Sequence, residues 1–325
     1  MTFPNIPRGI VPLLETPFAI DGSIDYDSVQ ALVEHSVAGG ANGLTAPLVA
    51  SEVHALSVSE REELVKVAAG AIAGRVPFIV GASADEPDLC RRFAKLAEKV
   101  EAAAYLVAVP NGLYGNLEEL LRFFLSIAAA SDVPIIIQDL QWNGPGLSLD
   151  FIRRLRAELP TLVGLKIETI PAGAKYTAVR HALGTDFYIS GGWAVPQLIE
   201  ALDRGVDAMI PECALTQVYA AIYRAYSSGD RAAAVSLFRE LVPVLVFSNQ
   251  ELYHSIAFFK RMLEYRKLIN SATLRPPGYS WDRYNLRIAD ELIDHYLALE
   301  SECAADSAKS KPELEAPPLP SSVRA

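Results

Sequence analysis

The sequence has few of the residues that build metal sites and disulfide frameworks. It contains three cysteines, Cys90, Cys213 and Cys303, which lie far apart and form no CxxC pair. This spacing argues against a structural zinc site and a disulfide-stabilised fold, and it suits a reducing compartment. The five histidines fall mainly in helical patterns, and neither a GxSxG nor a phosphate-binding Walker sequence occurs. We therefore expect no bound metal and no cofactor.

Clustered positive charge and long apolar runs are also missing. The net charge of -10 disfavours nucleic acid as a partner, because binding to phosphates needs grouped Lys and Arg side chains. No run approaches the ~18 apolar residues that a membrane-spanning helix requires. The first residues show no charged segment followed by an apolar one, the pattern of a secretory signal. These features predict a cytoplasmic protein with no membrane partner.

Short apolar runs alternate with amphipathic segments through the first two thirds of the chain. Such alternation indicates parallel βα units, and eight units favour a closed (β/α)8 barrel over an open sheet. Three later helical patterns predict a C-terminal three-helix extension, near 231–246, 250–268 and 281–300. The predicted strands are 10–16, 43–47, 78–82, 105–109, 134–140, 162–168, 187–191 and 206–211.

Three regions follow from this pattern. Residues 1–228 are predicted to form the catalytic barrel, residues 229–302 the helical extension, and residues 303–325, rich in Ala, Ser, Lys, Glu and Pro, a disordered tail. Within the barrel, Asp25, Ser59, Asn116 and Ser148 are predicted helix N-caps. Ser59, with Glu62 three residues on, matches a capping box.

Lys166 interrupts the apolar run at 162–167, where a buried strand is expected. Burial disfavours the charged form of an amine, and a neutral lysine is a nucleophile that forms Schiff bases with carbonyl compounds. The structural alternative is a lysine that reaches out from a strand end or forms an ion pair with Glu168. The residue alone leaves both interpretations open.

Other polar residues lie where predicted strands end, which is the catalytic face of a (β/α)8 barrel. Gln138 lies on the strand beside that of Lys166, and Glu168 shares a strand face with Lys166. Four of these polar residues have a structural alternative. For Gln138 it is a hydrogen bond to a neighbouring loop, and for Glu168 it is an ion pair with an arginine. For Glu52 it is support of its own loop, and for Asp139 it is the bracing of a helix. The predicted substrate-binding residues are Thr16, Ser51, Glu52, Tyr114, Gly191 and Gly192.

Several motifs together resemble the dihydrodipicolinate synthase and N-acetylneuraminate lyase family. They are Thr16-Pro17-Phe18, the loop that ends in Glu52, Gly74-Arg75-Val76-Pro77, Gly164-Leu165-Lys166 and Phe259-Lys260. The resemblance spans roughly residues 7–300. It implies a (β/α)8 barrel with a three-helix extension, a homo-oligomer (dimer or tetramer), and a Schiff base between Lys166 and a 2-oxo acid.

The chain also departs from the family pattern. The two threonines usual in the strand-2 loop are absent before Ser51-Glu52, Gln138 replaces the strand-5 tyrosine that exchanges protons, and residues 141–144 contain no arginine. Gln138-Asp139, Lys166-Ile167-Glu168 and the Ser51-Glu52 loop instead resemble a subgroup with 2-keto-3-deoxy-L-arabinonate dehydratase. We therefore expect no dihydrodipicolinate synthase activity.

The resulting hypothesis is a Schiff-base lyase that dehydrates a 2-keto-3-deoxy sugar acid. Lys166 is the expected nucleophile, and Glu168, or a water held by Gln138, the proton shuttle. Retro-aldol cleavage of a 2-oxo acid to pyruvate and an aldehyde remains an alternative. A second alternative is a barrel that binds a 2-oxo acid without catalysis, although an unpaired buried lysine with no chemical role is costly.

Overall fold

The structure is a computed structural model that describes residues 5–142, 144–192, 196–275 and 279–309. Eight parallel strands form one sheet in the order β1-β8-β7-β6-β5-β4-β3-β2. The ends of this order meet, because Leu13 forms bridges to both Thr45 and Glu212. The predicted (β/α)8 barrel is confirmed. The strands are β1 Gly9–Ile10, β2 Leu44–Ala46, β3 Phe78–Gly81, β4 Ala104–Ala108, β5 Ile135–Asp139, β6 Leu162–Ile167, β7 Tyr188–Gly191 and β8 Ala208–Met209.

A helix follows each strand and covers the outside of the barrel. These helices are α1 Tyr26–Ala38, α2 Val58–Ile72, α3 Pro87–Lys99, α4 Leu117–Ala128, α5 Leu149–Glu158, α6 Gly173–Leu183, α7 Leu198–Asp203 and α8 Thr216–Ser227. Three of the predicted N-caps are confirmed, since the side chains of Asp25, Asn116 and Ser148 accept from backbone N–H groups of the first turn.

The predicted capping box of α2 is wrong by two residues. The N-cap is Ser57, whose hydroxyl accepts from Glu60 N while the Glu60 carboxylate accepts from Ser57 N. Glu62, the partner expected for Ser59, forms a two-point ion pair with Arg92. The capping box therefore begins two residues earlier than expected, and Glu62 pairs with α3 instead of capping α2.

Two apolar layers hold the barrel together. One lies between the strands and the helices, and the other fills the barrel interior with side chains such as Val11, Ile79, Leu106 and Ile136. Because side chains alternate along a strand, the interior residues of each strand are two positions apart. The polar residues at the strand ends therefore lie above this interior layer, at one mouth of the barrel.

Three helices extend the barrel: α9 Arg231–Ser248, α10 Leu252–Tyr265 and α11 Arg283–Lys309. The last helix corrects the expected tail boundary, since it continues beyond residue 302 and Cys303 is buried within the core. Burial of Cys303 extends the packed face of α11 past residue 302. The predicted tail from 310 onward lies outside the described residues. In the part of the chain that the structure describes, no helix is both long and apolar enough to cross a membrane.

Candidate active site

Lys166 lies near the end of β6 with its side chain only 4% exposed. Its Nζ is 2.9 Å from Oε1 of Glu168, which is also 4% exposed. The two residues are two positions apart, so both side chains project to the barrel interior. The structure thus contains the ion pair between Lys166 and Glu168, which is the structural alternative to a nucleophilic lysine. It also places the amine at the catalytic mouth of the barrel, where that pair can exchange a proton.

Gln138 reaches the same carboxylate from the neighbouring strand. It pairs with Lys166 in the register between β5 and β6, and its Nε2 donates to Glu168 Oε2 at 2.5 Å. Among the described residues, Gln138 Oε1 has no hydrogen-bond partner although it is buried. Glu168 is not the counter-ion of an arginine; it is held between Gln138 and Lys166. The free amide oxygen of Gln138 can accept from a water or a substrate hydroxyl.

Gly192 leaves the space that the lysine amine occupies. A Cβ atom at this position would lie 2.5 Å from Lys166 Cε and 2.8 Å from Lys166 Nζ, and would also overlap Glu168 Oε1. No side chain larger than hydrogen fits there without moving the amine. Gly192 therefore borders the reacting group, as expected for a residue that allows close approach of a ligand.

Gly191 faces the opposite way. A Cβ atom there would lie 2.6 Å from Tyr176 Oη and 2.8 Å from Met209 Cε, both in the layer between strands and helices. Gly191 therefore serves strand–helix packing. The expected approach of a ligand to the backbone of Gly191 stays a prediction.

The side chains of Gln138, Lys166 and Glu168 share one small cavity with apolar walls. Its walls come from the segments that follow β1, β2 and β5 and from the start of α10. In such a low-dielectric space, charges interact more strongly than in water. The cavity is lined by Leu13, Leu48, Val49, Ala50, Gln138, Leu140, Trp142, Lys166, Glu168, Glu212 and Leu252.

Glu212 is one of the polar residues expected at the strand ends, although the sequence pattern assigned it no catalytic or binding role. It follows β8 and is buried, and its Oε2 has no hydrogen-bond partner among the described residues. Burial, helped by the charge of nearby Glu15, raises the pKa of Glu212 to about 8. Glu15 itself lies within the apolar run at 10–16, and burial raises its pKa to about 7. A charged residue inside an apolar run is the same signal that singled out Lys166.

The hydroxyls of Thr16 and Ser51 fix the loop after β2. Thr16 Oγ1 donates to Ser51 O at 2.7 Å, and Ser51 Oγ donates to Leu14 O at 2.6 Å. Ser51 Oγ also accepts from Leu48 N at 3.1 Å. Both hydroxyls are therefore committed to backbone groups. Their expected role in binding substrate is indirect in this geometry, through the position of Val49 and Ala50 on the cavity wall.

Glu52 turns away from the cavity, which favours its structural alternative and corrects the expectation that it binds substrate. It has a left-handed backbone with φ of 57°. Its Oε1 forms a buried ion pair with Lys260 of α10, and its Oε2 accepts from Arg275 N at 3.0 Å. Both carboxylate oxygens thus join the barrel to the extension.

Tyr114 is bound to Asp139 on the outer side of β5. Its Oη donates to Asp139 Oδ1 at 3.0 Å, and burial together with that carboxylate raises the pKa of Tyr114. Asp139 also accepts from Leu147 N at 3.0 Å and from Lys175 Nζ at 2.5 Å. Asp139 therefore braces the loop before α5. In this arrangement Tyr114 is a donor held by Asp139, and its expected contact with substrate stays a prediction.

Comparison with known proteins extends the resemblance inferred from the motifs. A family model described as the dihydrodipicolinate synthetase family matches residues 6–294. A 4-hydroxy-tetrahydrodipicolinate synthase of Chelativorans sp. (strain BNC1) is 32% identical over 243 residues, covering 73% of this chain and 81% of that protein. An L-2-keto-3-deoxyarabonate dehydratase of Azospirillum brasilense is 27% identical over 259 residues, covering 77% and 83%. The crystal structure of dihydrodipicolinate synthase from Rhodopseudomonas palustris has a TM-score of 0.81 at 25% identity, covering 90% of this chain and 97% of that one.

Proposed function

Because the chain belongs to the dihydrodipicolinate synthetase family, we propose that it is a Schiff-base-forming lyase that dehydrates a 2-keto-3-deoxy sugar acid. The family expectation from the sequence motifs is confirmed by the match over residues 6–294. The general proposal is lyase chemistry on a small 2-oxo acid. The more specific proposal is dehydration, with a 2-keto-3-deoxy sugar acid as the substrate.

The observation that carries the proposal is the contact between Lys166 Nζ and Glu168 Oε1 at 2.9 Å inside the barrel mouth. Transfer of the ammonium proton to the carboxylate gives a neutral amine, which attacks C2 of the 2-oxo acid. The carbonyl oxygen takes one amine proton and the proton held by Glu168 and leaves as water, which restores the Glu168 carboxylate and gives a protonated imine. This imine withdraws electrons from C3 and makes the C3 proton acidic.

Glu168 is the group best placed to remove that proton. Loss of the C3 proton sends its electron pair into the C2–C3 bond, and the imine electrons return to nitrogen, which gives an enamine. The enamine then expels the C4 hydroxyl as water and regenerates an imine, now conjugated. Hydrolysis of this imine releases the product and restores Lys166. Gln138 holds Glu168 in place from β5, with its Nε2 2.5 Å from the Glu168 carboxylate.

Position 138 supports dehydration over the synthase reaction. In the family pattern a tyrosine on this strand exchanges protons, and a glutamine amide cannot do so near neutral pH. The dehydratase relative from Azospirillum brasilense matches 83% of its own length here. Retro-aldol cleavage would pass through the same enamine, and it differs in breaking the C3–C4 bond instead of the C4–O bond.

A product assay tests the proposed reaction. The purified protein is incubated with L-2-keto-3-deoxyarabonate, and the products are separated by mass. Loss of one water without loss of carbon is the expected result. Formation of pyruvate and an aldehyde would replace dehydration by aldol cleavage, and formation of 4-hydroxy-tetrahydrodipicolinate from its precursors would return the chain to the synthase group. Binding without turnover of any tested 2-oxo acid would support the non-catalytic alternative.

A further inference from the structure

Glu212 is a second carboxyl group in the cavity that Lys166 lines. It follows β8, and β7 lies between β8 and the Lys166 strand β6. It lines the same space as Gln138, Lys166 and Glu168, and only 5% of the residue is exposed. Its Oε2 is buried without a hydrogen-bond partner among the described residues. A buried carboxylate oxygen without a partner is costly, whereas a neutral carboxyl group costs less and carries a proton that it can donate.

The surroundings of Glu212 contain further acidic groups. Glu15 lies in the segment that follows the neighbouring β1 and accepts from Cys213 Sγ at 2.7 Å, and its Oε1 has no partner in the described part of the chain. The other groups that act electrostatically on this pair are Lys166, Glu168, Tyr219, Cys213 and Lys260.

The two cavity carboxyls have opposite electrostatic environments. Glu168 has a cation 2.9 Å away and an amide donor on its other oxygen. For Glu212, Oε2 has no hydrogen-bond partner among the described residues, and burial raises the pKa to about 8. Two carboxyls in such different surroundings commonly divide the acid and base roles of one reaction.

We propose that neutral Glu212 is the catalytic acid that protonates the departing C4 hydroxyl, and that Glu15 is a positioning residue that keeps Glu212 neutral. This inference rests on the proposed dehydration. After Glu168 has taken the C3 proton, the enamine electrons form the C3–C4 double bond and the C4–O pair leaves with oxygen. Glu212 gives its proton to that oxygen, and water departs. Glu168 now holds one proton more and Glu212 one fewer, and a proton transfer between them through water restores both.

Changing the leaving group at C4 distinguishes a catalytic acid at position 212 from a residue that only supports the structure. We compare wild type, Glu212→Gln and Glu168→Gln on L-2-keto-3-deoxyarabonate and on its analogue with fluorine in place of the C4 hydroxyl. Fluoride leaves without being protonated, so it needs no acid. For Glu212→Gln we expect kcat to fall by about 10²-fold on the hydroxyl substrate and by less than about tenfold on the fluoro analogue. Glu168→Gln should lose activity on both, because each needs removal of the C3 proton.

Equal losses of Glu212→Gln on the two substrates, or no loss on either, would overturn the inference. Wild type serves as the reference for the proposed function itself. If wild type neither dehydrates L-2-keto-3-deoxyarabonate nor forms a borohydride-stable adduct at Lys166, the proposed function fails. If wild type does both and Glu212→Gln matches it, only the role of Glu212 fails.

Glu15→Gln gives a second test that leaves Glu212 in place. Removing the Glu15 charge lowers the pKa of Glu212, so the alkaline limb of the kcat profile should move to lower pH. In Glu212→Gln the same limb should disappear, since the group that titrates is gone. A residue that only supports the fold would change the melting temperature without moving this limb. An alkaline limb in Glu15→Gln that coincides with that of wild type would overturn the inference.

Discussion

Gln138 lies directly opposite Lys166 in the register between β5 and β6, and both side chains hold the same carboxylate, that of Glu168. The amide fixes one oxygen and the amine contacts the other. In the proposed mechanism this relationship replaces the tyrosine of the family pattern. The glutamine orients the Glu168 carboxylate, and Glu168 is the group proposed to exchange the proton.

Replacing Glu168 by glutamine should separate adduct formation from turnover. We expect kcat to fall by about 10²-fold or more, the usual scale of general acid–base catalysis, while 2-oxo acids can still be trapped on Lys166. Steady-state kinetics and borohydride labelling measure the two effects. Glu158→Gln on the surface of α5 is the matched control and should leave both unchanged. Full turnover in Glu168→Gln would remove Glu168 from the mechanism.

A methyl group at position 192 should disable the lysine without unfolding the barrel. The Cβ of Gly192→Ala would lie 2.8 Å from Lys166 Nζ, so the amine must move. A displacement of about 1 Å can reduce the rate by about 10²-fold. Gly112→Ala, whose Cβ meets nothing within 4 Å, is the control for helix and loop effects. Activity in Gly192→Ala equal to that in Gly112→Ala would show that the space beside Lys166 is not needed.

The buried pair of Glu52 and Lys260 should matter for stability. Lys260 is fully buried, donates to Thr273 O at 2.9 Å and lies 4.2 Å above the Phe18 ring. Removing one partner of such a pair leaves an unpaired buried charge and costs about 3–5 kcal/mol. Urea unfolding of Glu52→Gln should show this loss, and adding Lys260→Met should recover part of it. A loss below about 1 kcal/mol in Glu52→Gln would contradict the buried pairing.

The raised pKa of Glu15 predicts a pH dependence of stability. Its pKa rises from 4.5 to about 7 on folding, so its contribution is complete below pH 4.5 and is lost as the pH rises to about 7. The free energy of unfolding of wild type, relative to Glu15→Gln, should therefore fall through this window, by at most about 1.4 kcal/mol per pH unit. Urea unfolding at several pH values measures the difference. A relative stability that rises with pH would contradict a buried, neutral Glu15.

Local patterns identified the candidate catalytic residues because the signals that mark them are local. Lys166 stands out as a charge in an apolar run, and strand alternation places Glu168 on the same face. The same alternation separates Gly192 from Gly191, since Ser190 pairs with Lys166 and the interior position follows two residues later. Alternation therefore distinguishes the two glycines once it is known that Ser190 lies opposite Lys166.

Other outcomes depend on contacts that sequence spacing does not encode. Glu52 turns to Lys260, a residue 208 positions away in the chain. Ser57 and Ser59 each precede a glutamate by three residues, and both glutamates have distant partners, Arg275 for Glu60 and Arg92 for Glu62. Helix α11 continues beyond residue 302, and Cys303 is buried in the core. A boundary drawn from composition alone does not detect this burial.

Borohydride trapping examines the Schiff base at Lys166 itself. Wild type is incubated with pyruvate or with L-2-keto-3-deoxyarabonate and reduced with borohydride. Intact mass spectrometry then counts the adducts, and peptide mapping locates them. We expect one adduct per chain, located on Lys166, and none on Lys260, which is also buried in an ion pair but does not line the cavity. Lys166→Ala and Lys166→Arg should show neither adduct nor turnover. An adduct that persists in Lys166→Ala, or turnover by that variant, would show that Lys166 is not the nucleophile.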